Sequence, residues 1–491
     1  MDFFIQASQF VLSLSLLIVL HELGHLIPAK AFKTRVEKFY LFFDYKFSLF
    51  KKKFGETEYG IGWIPLGGYV KISGMIDESM DKEQMKKEPE EWEFRSKPAW
   101  QRLIIMLGGV TVNILLGVFI YAMILFFYNE KYTPIESMSE GIVCDSLYID
   151  LGFQNGDKII RVDGYKVKSW TQFRKKMIRP KSVIVERGGV LVDIDIADDF
   201  PTKWLGLMEK TGSSGVDFQR PTIVSLIADS VGLKSGSYEE IVSLETSCRA
   251  YTEGLRRGDR IVSVNGIETP YFNDYKRVVS GIQKENISSE VFQIIVEVCS
   301  VDEFDSTEER VLMPRYGEPT TKTINLTVDA KEGTVGFIPL RGSPEVFAEY
   351  GYGDLVEKSY GFFESIPAGY HKTIEELTFY IDQFAIMLIP ETGAYKHLGG
   401  FGAIGGLFSK KWDWHHFWSM TAFLSIILAF MNVLPIPALD GGHVMFLLYE
   451  MVVGKPAPQK VMEYAQAVGM IILLTLVVYA NGMDIIRWIN G

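Results

Sequence analysis

The sequence is poor in cysteine, in histidine and in positive charge. Of 491 residues, three are cysteine and seven are histidine, and the formal net charge is −11. So few cysteines, with no Cys-x-x-Cys pair, exclude a disulfide framework and a thiolate zinc site. The acidic balance lacks the basic footprint of a nucleic-acid-binding protein, so we expect no nucleic-acid partner.

The N-terminus also lacks the basic residues and the small-residue cleavage site of a secretory signal peptide. We therefore interpret the first apolar run as a retained membrane span. A helix of about 20 apolar residues crosses a bilayer. Four runs have that length, at residues 7–29, 103–128, 417–439 and 464–483. The sequence thus predicts a polytopic α-helical membrane protein with four transmembrane helices, not a soluble protein with buried helices.

Basic residues near the span ends predict the orientation. They follow the first span, precede the second and occupy the loop between the third and fourth: Lys30, Lys33, Arg35, Lys38, Arg95, Lys97, Arg102, Lys455 and Lys460. We therefore place residues 30–102 and 443–463 in the cytoplasm. Both termini and residues 129–413 are then expected outside it.

The first span contains the sequence His21-Glu22-Leu23-Gly24-His25. Residues four apart share one face of a helix, so both imidazoles could reach one zinc ion, with Glu22 beside it as general base. Ionisable groups inside a span are costly and usually functional. The alternative is a helix end at which these side chains meet interfacial water.

A catalytic zinc needs a third protein ligand and an open position for water. The third span ends with an Asn-Val-Leu-Pro-Ile-Pro-Ala-Leu-Asp-Gly-Gly stretch, residues 432–442. Its prolines break the helix and its glycines let the backbone bend, which makes Asp440 the candidate ligand. The alternative is a juxtamembrane turn capped by that aspartate. Under the predicted orientation, the two histidines of the first span and Asp440 at the end of the third lie at a similar depth in the membrane.

These residues resemble the site-2 protease family, in its bacterial branch of sigma-E-regulator proteases. The resemblance includes the histidine motif, the stretch from Asn432 to Gly442, the segment from Pro65 to Lys71, and residues 94–102 leading to Asn113. It covers nearly the whole chain. One departure is Gly108-Gly109-Val110, where relatives often carry a proline, and there we expect only local packing effects.

The resemblance implies one Zn²⁺ bound by His21, His25 and Asp440, with Glu22 activating water. It also implies that Asn432 holds the substrate or steadies the oxyanion. The segment 60–74 is similar to the family's membrane-dipping β segment, in which Gly67, Gly68 and Tyr69 would pair with an unwound substrate strand.

The middle of the chain contains a repeat. Residues 156–164, Gly-Asp-Lys-Ile-Ile-Arg-Val-Asp-Gly, recur as Gly-Asp-Arg-Ile-Val-Ser-Val-Asn-Gly at 258–266. Alternating apolar residues before Asp-Gly or Asn-Gly predict a strand entering a tight turn, and hence two β-rich domains. The repeat resembles tandem PDZ domains. Their carboxylate-binding loops would include Leu205, Gly206 and Leu207 in the first domain, and Val335, Gly336 and Phe337 in the second.

We expect five regions. They are an N-terminal membrane domain (1–128), two PDZ-like domains (129–220 and 221–342, the second with a long stretch at 230–250), surface-lying amphipathic helices (343–410) and a C-terminal membrane domain (411–491). The PDZ domains would either bind peptide termini or act as a size filter. These two alternatives stay open.

The resulting hypothesis is a zinc endopeptidase of the bacterial inner membrane that cuts within the lipid bilayer. The resemblance implies single-span membrane substrates, such as a pre-trimmed anti-sigma factor or remnant signal peptides. The main alternative is a non-catalytic PDZ-bearing membrane scaffold. A transporter is disfavoured, because the fourth run offers few polar groups.

Overall fold

The structure is a computed structural model that describes most of the chain. The described residues are 2–75, 88–138, 140–212, 214–227, 248–286, 288–300, 303–304, 314–315, 320–330, 335–340, 343–349 and 353–490. Most of the long stretch predicted at 230–250 lies outside them. The chain forms two compact units, Met1–Glu130 with Lys358–Gly491, and Lys131–Glu357.

The N-terminal part of the first unit has two long helices with a β-sheet between them in sequence. Its elements are α1 (Asp2–Ala31), β1 (Val36–Phe43), β2 (Phe50–Phe54), β3 (Thr57–Ile61), β4 (Ile64–Ile72) and α2 (Ala99–Tyr128).

The second unit is rich in short strands. Its elements, with the strand segments that join it to the first unit, are β5 (Glu130–Tyr132), β6 (Ile142–Cys144), α3 (Ser146–Asp150), β7 (Lys158–Val162), β8 (Tyr165–Lys166), α4 (Trp170–Lys176), β9 (Ser182–Arg187), β10 (Val190–Asp195), α5 (Phe200–Thr211), β11 (Val216–Phe218), β12 (Thr222–Ile227), α6 (Arg249–Thr252), β13 (Arg260–Val264), β14 (Ile267–Glu268), α7 (Phe272–Glu285), β15 (Val291–Ser300), β16 (Glu303–Phe304), β17 (Pro314–Arg315), β18 (Thr320–Asp329), β19 (Phe337–Pro339), α8 (Pro344–Glu349) and β20 (Val356–Lys358).

Helices complete the first unit. They are α9 (Phe362–Met387), α10 (Phe401–Gly406), α11 (Trp414–Val433), α12 (Asp440–Val453) and α13 (Gln459–Asn490).

Within the described residues, four helices are long and apolar enough to cross a membrane. They extend over Phe3–Ala31, Ala99–Tyr128, Trp414–Val433 and Gln459–Ile489. The prediction of four spans is confirmed, but the third ends at Val433 instead of residue 439. Pro435 has no N–H for the helical hydrogen-bond ladder, and its ring clashes with the preceding turn.

The strands after α1 form a sheet of order β2-β3-β1-β4. Strand β1 pairs antiparallel with β4 and parallel with β3. One face of the sheet packs on α1 and α2 through Val36, Phe39, Val70 and Ile72. Strand β4 therefore lies at the edge of this sheet, beside the helix that carries the histidine motif.

The middle region is β-rich, and its sequence repeat is visible as a repeated local structure. Asp163-Gly164 and Asn265-Gly266 all have positive φ, between 49° and 77°, as a two-residue hairpin turn requires. Each turn leads from the longer strand of a hairpin into the shorter one, β7 into β8 and β13 into β14. The predicted strand-turn pattern is present in both copies.

Helix α9 differs from the predicted surface-lying helices, because it packs lengthwise along the bundle. At its start Phe362 contacts Phe126, and near its end Phe384 contacts Phe430 of α11. Gly369 lies directly against the backbone of Ala122, an approach that a side chain would block.

Candidate metal centre

The two motif histidines lie on the same face of α1 and are almost completely buried. Their side chains are brought together with Asp440, which lies 419 positions after His21 in the chain. The Nε2 atoms of His21 and His25 are 3.3 Å apart. Each of them is 3.3 Å from Asp440 Oδ2. Three ligand atoms thus form a nearly equilateral triangle.

This triangle fits a tetrahedral metal ion. Ligand atoms at about 2.0–2.1 Å from a tetrahedral zinc lie about 3.3 Å from one another. Asp440 Oδ2 is buried and has no hydrogen-bond donor among the described residues. The three atoms converge on one point, so a single metal ion there could be bound by all of them.

Asp440 reaches the histidines from the start of a helix. The sequence placed it at the inner end of the third span, whereas the structure puts it in the first turn of α12, after the break that follows Val433. Within that break, Ala438 has a φ of +87°. Gly441 and Gly442 lie so close to the backbone of residues 433–437 that side chains would clash there.

Helix α2 forms the wall behind the imidazoles. A Cβ atom at Gly109 would lie 2.5 Å from His25 Nε2 and 2.6 Å from His21 Cε1. A Cβ atom at Gly24 would likewise clash with the carbonyl group of Gly108. At Gly108-Gly109-Val110, where only local packing effects are expected, the two glycines leave space for the imidazoles and for the close contact between α1 and α2.

Glu22 projects from α1 on the side that faces β4. A Cβ atom at Gly68 would lie 2.5 Å from Ile18 Cγ2 and 3.7 Å from Glu22 Cγ. Gly68 thus lets the edge strand approach α1 at the turn that carries the candidate base. The neighbouring Tyr69 points to the other face of the sheet, where its hydroxyl donates to Asp44 Oδ1 at 2.8 Å.

Asn432 lies in the last turn of α11 and faces the same space as the three ligands. It is nearly fully buried, and its Nδ2 is 3.5 Å from His21 Nε2. The amide can therefore present a hydrogen-bond donor beside a metal bound by the triad.

The last helix, α13, contacts the segment that leads to Asp440. A Cβ atom at Gly469 would overlap with the carbonyl group of Pro437. Glycine at this position allows α13 to lie directly on the segment, whose end carries the third candidate ligand. Sequence reasoning missed this contact, because a glycine in an apolar helix gives no sign of what it touches.

The predicted PDZ loop residues are in two different settings. Leu205, Gly206 and Leu207 lie inside helix α5, so the prediction of a loop there is wrong. Gly336 has a φ of +75°, and Phe337 begins β19, as expected for a loop leading into a strand. The role of both segments in binding a carboxylate stays a prediction.

Comparisons with known proteins show the family of this chain. The model of peptidase family M50 matches residues 9–476. The chain is 26% identical to the Regulator of sigma E protease of Haemophilus influenzae, over 99% of this chain and 100% of that protein. It is 24% identical to the Regulator of sigma-E protease RseP of Escherichia coli (strain K12), again over 99% and 100%. The chain therefore belongs to peptidase family M50, and it is a zinc metalloprotease of the site-2 type.

Proposed function

We propose that this protein is an intramembrane endopeptidase that hydrolyses a peptide bond of single-span membrane proteins. One observation carries the proposal. His21 and His25 lie on an apolar span-length helix beside the edge strand β4, and Asp440 converges with them from the start of α12. A site built this way acts on a peptide that enters from the bilayer and not on a soluble substrate.

The ligand set fits zinc. Two imidazole nitrogens and one carboxylate oxygen leave an open fourth position, as in catalytic zinc sites. Zinc held there would lower the pKa of a water molecule and polarise the scissile carbonyl group. Glu22, next to His21 on the helix, is the group that would take the proton of that water and deliver it to the leaving nitrogen.

The edge strand supplies a way to present the bond. A helical substrate has its carbonyl groups hydrogen-bonded within the helix, so it must unwind before attack. Within the described residues, β4 has a strand partner on one side, β1. A substrate strand could pair with the other edge along Gly67, Gly68 and Tyr69, which brings its backbone to Glu22. Asn432 would then donate to the oxyanion as it forms.

The names of the relatives suggest the substrate class. Two of the relatives carry the names Regulator of sigma E protease and Regulator of sigma-E protease RseP. We propose that the substrates include an anti-sigma factor already trimmed on its outer side, or remnant signal peptides, in a bacterial inner membrane. The distribution of basic residues supports the placement of residues 131–357 outside the cytoplasm.

We further propose that the two halves of the second unit are PDZ-type domains. The repeated hairpin and its positive-φ turn support this assignment. So does the equivalent helix that follows each hairpin, α4 in the first copy and α7 in the second. Whether they bind peptide termini or restrict the size of the substrate stays open.

The first test compares the full-length wild type with Glu22→Gln in detergent, using a single-span model substrate. The substitution keeps the size of the side chain and removes the base. We expect about one zinc per chain in both proteins and cleavage by the wild type alone. Cleavage by the variant would refute the role of Glu22. A wild type with no zinc and no cleavage would favour the scaffold alternative instead.

A further inference from the structure

Helix α2 presents to the imidazoles three features that are spaced four residues apart. They are the carbonyl oxygen of Ile105, the absent side chain of Gly109 and the carboxamide of Asn113. His25 Nδ1 is 2.8 Å from the Ile105 oxygen, and His21 Nδ1 is 3.0 Å from Asn113 Nδ2. One face of α2 thus contacts the outer nitrogen of both ligands.

The contact of His25 fixes where its proton lies. A backbone carbonyl oxygen can only accept a hydrogen bond, so Nδ1 must carry the hydrogen. A neutral imidazole has one N–H, which leaves the lone pair on Nε2. That lone pair points at the triangle of ligand atoms, as metal binding requires.

His21 also needs its lone pair on Nε2 to bind a metal, and this determines which end of the Asn113 amide must face it. His21 Nε2 belongs to the triangle, so His21 Nδ1 carries the hydrogen and needs an acceptor. A carboxamide offers an acceptor only through its oxygen. Asn113 is completely buried, and its Oδ1 has no hydrogen-bond partner among the described residues. A half turn of the amide brings this oxygen to Nδ1 and removes the clash of two donors.

We propose that Asn113 is a positioning residue that accepts the Nδ1–H of His21 through Oδ1 and so holds the metal-binding tautomer. The proposal rests on the zinc site proposed above. It gives each histidine ligand its own acceptor, one from the backbone of α2 and one from a side chain. Partners of this kind commonly change metal affinity by about 10–100-fold when they are removed.

Asn113 is itself held in place from the third span. Ser425 Oγ donates to the backbone oxygen of Asn113 at 2.8 Å, and both residues are completely buried. A buried asparagine in the apolar part of a span is costly unless its amide is used. The contact with His21 supplies that use.

The test measures zinc affinity of full-length protein in detergent by competition with a chelator. Asn113→Leu removes the acceptor with little change in volume, and we expect zinc affinity to fall about 10–100-fold. Asn113→Asp keeps acceptor oxygens and loses the donor, so it should bind zinc nearly as tightly as the wild type. Thr421→Val is the matched control, since it removes a completely buried hydroxyl that bonds to Ser13 instead of a ligand.

A second readout is the visible spectrum of the cobalt-substituted protein, which reports the ligand geometry without any need for catalysis. We expect the wild type, Asn113→Asp and Thr421→Val to give one tetrahedral spectrum, and Asn113→Leu to give a weakened or altered one.

Equal affinity of Asn113→Leu and the wild type would overturn the proposal. So would an Asn113→Asp protein that loses zinc, because an amide acting as donor would explain that result. If Asn113→Leu does not fold, Asn113→Asp alone decides. A wild type without zinc would instead refute the proposed function, and the positioning role would fall with it.

Discussion

Helices α1 and α2 are both 30 residues long and both apolar, but they contribute to the site in opposite ways. Helix α1 carries two of the three candidate ligands and the candidate base within five consecutive residues. Helix α2 provides what surrounds them, through an absent side chain at Gly109, a backbone oxygen at Ile105 and an amide at Asn113. The comparison shows that a metal site depends on a neighbouring element that leaves space for the ligands and orients them, as well as on the element that carries the ligands.

The largest effect is expected from a ligand on α1. His25→Ala removes one corner of the triangle, so zinc content should fall to near zero and cleavage should be lost. Zinc analysis of the purified protein checks this. An exposed histidine, His415, gives the matched control His415→Ala, which should retain both. A His25→Ala protein with full zinc content would show that the triangle is not the binding site.

A substitution on α2 that changes no candidate ligand should reduce zinc binding almost as strongly. Gly109→Ala places a methyl group against both imidazoles, at 2.5–2.6 Å in the present arrangement. We expect zinc affinity to fall by at least the 10–100-fold seen when a ligand's supporting group is removed.

The control for this prediction is on the same helix. Gly117→Ala makes the same change where the nearest atom, Cγ1 of Ile426, lies 3.1 Å away and can move. It should leave zinc affinity unchanged. If the two variants bind zinc equally, α2 does not constrain the ligands and the contrast between the helices disappears.

A third substitution should affect cleavage and spare the metal. Gly68→Ala would press a methyl group onto Ile18 and the Tyr40 carbonyl oxygen, 2.5 and 2.7 Å away. Strand β4 must then shift away from Glu22. Displacements of this order cost up to about 100-fold in rate, so kcat/KM should fall with zinc content unchanged. Loss of zinc together with activity would contradict a role confined to substrate placement.

The smallest effect concerns the sheet face turned away from the helices. Burial raises the pKa of Asp44, but the hydrogen bond from Tyr69 and the charge of Lys38 outweigh it, and the net shift is downward from 3.8. A lowered carboxyl pKa stabilises the fold above the unfolded value, and the contribution is lost as the pH falls through the folded value. Tyr69→Phe should therefore lower the melting temperature at pH 7 and narrow the difference between pH 7 and pH 3.

The comparison for Tyr69→Phe is Tyr165→Phe, at an exposed position in the second unit. Thermal unfolding of the full-length protein at both pH values measures the two variants. An unchanged pH dependence in Tyr69→Phe would show that the hydrogen bond to Asp44 does not affect stability.

The two candidate histidine ligands could be predicted from the sequence because their chemistry is local. Histidines four residues apart on a helix reach one ion whatever surrounds them. Asp440 was found because prolines and glycines in a span mark irregular backbone. The four spans could be predicted from the length and hydropathy of the apolar runs, and the two hairpins from the Asp-Gly and Asn-Gly pairs.

The remaining features depend on contacts between distant segments. From the sequence, Gly108 and Gly109 indicated only a small difference from related proteins. In the structure, α1 lies directly against them. Helix α9 carries Lys372 and Glu376, so its composition indicated a surface helix. In the structure these two side chains form an ion pair, 3.4 Å apart, on a helix packed against α2. Hydropathy alone does not register such pairing, which offsets the cost of burying charge.

The contact of Gly469 with Pro437 links the segment that leads to Asp440 to a helix that is mostly exposed. In its most apolar stretch, 11% of the residues of α13 are buried. The tilt of such a helix depends on the thickness of the surrounding hydrocarbon layer. A change of tilt would move Gly469, and with it the segment that ends at Asp440. We therefore expect zinc affinity to vary with the acyl chain length of the surrounding lipid.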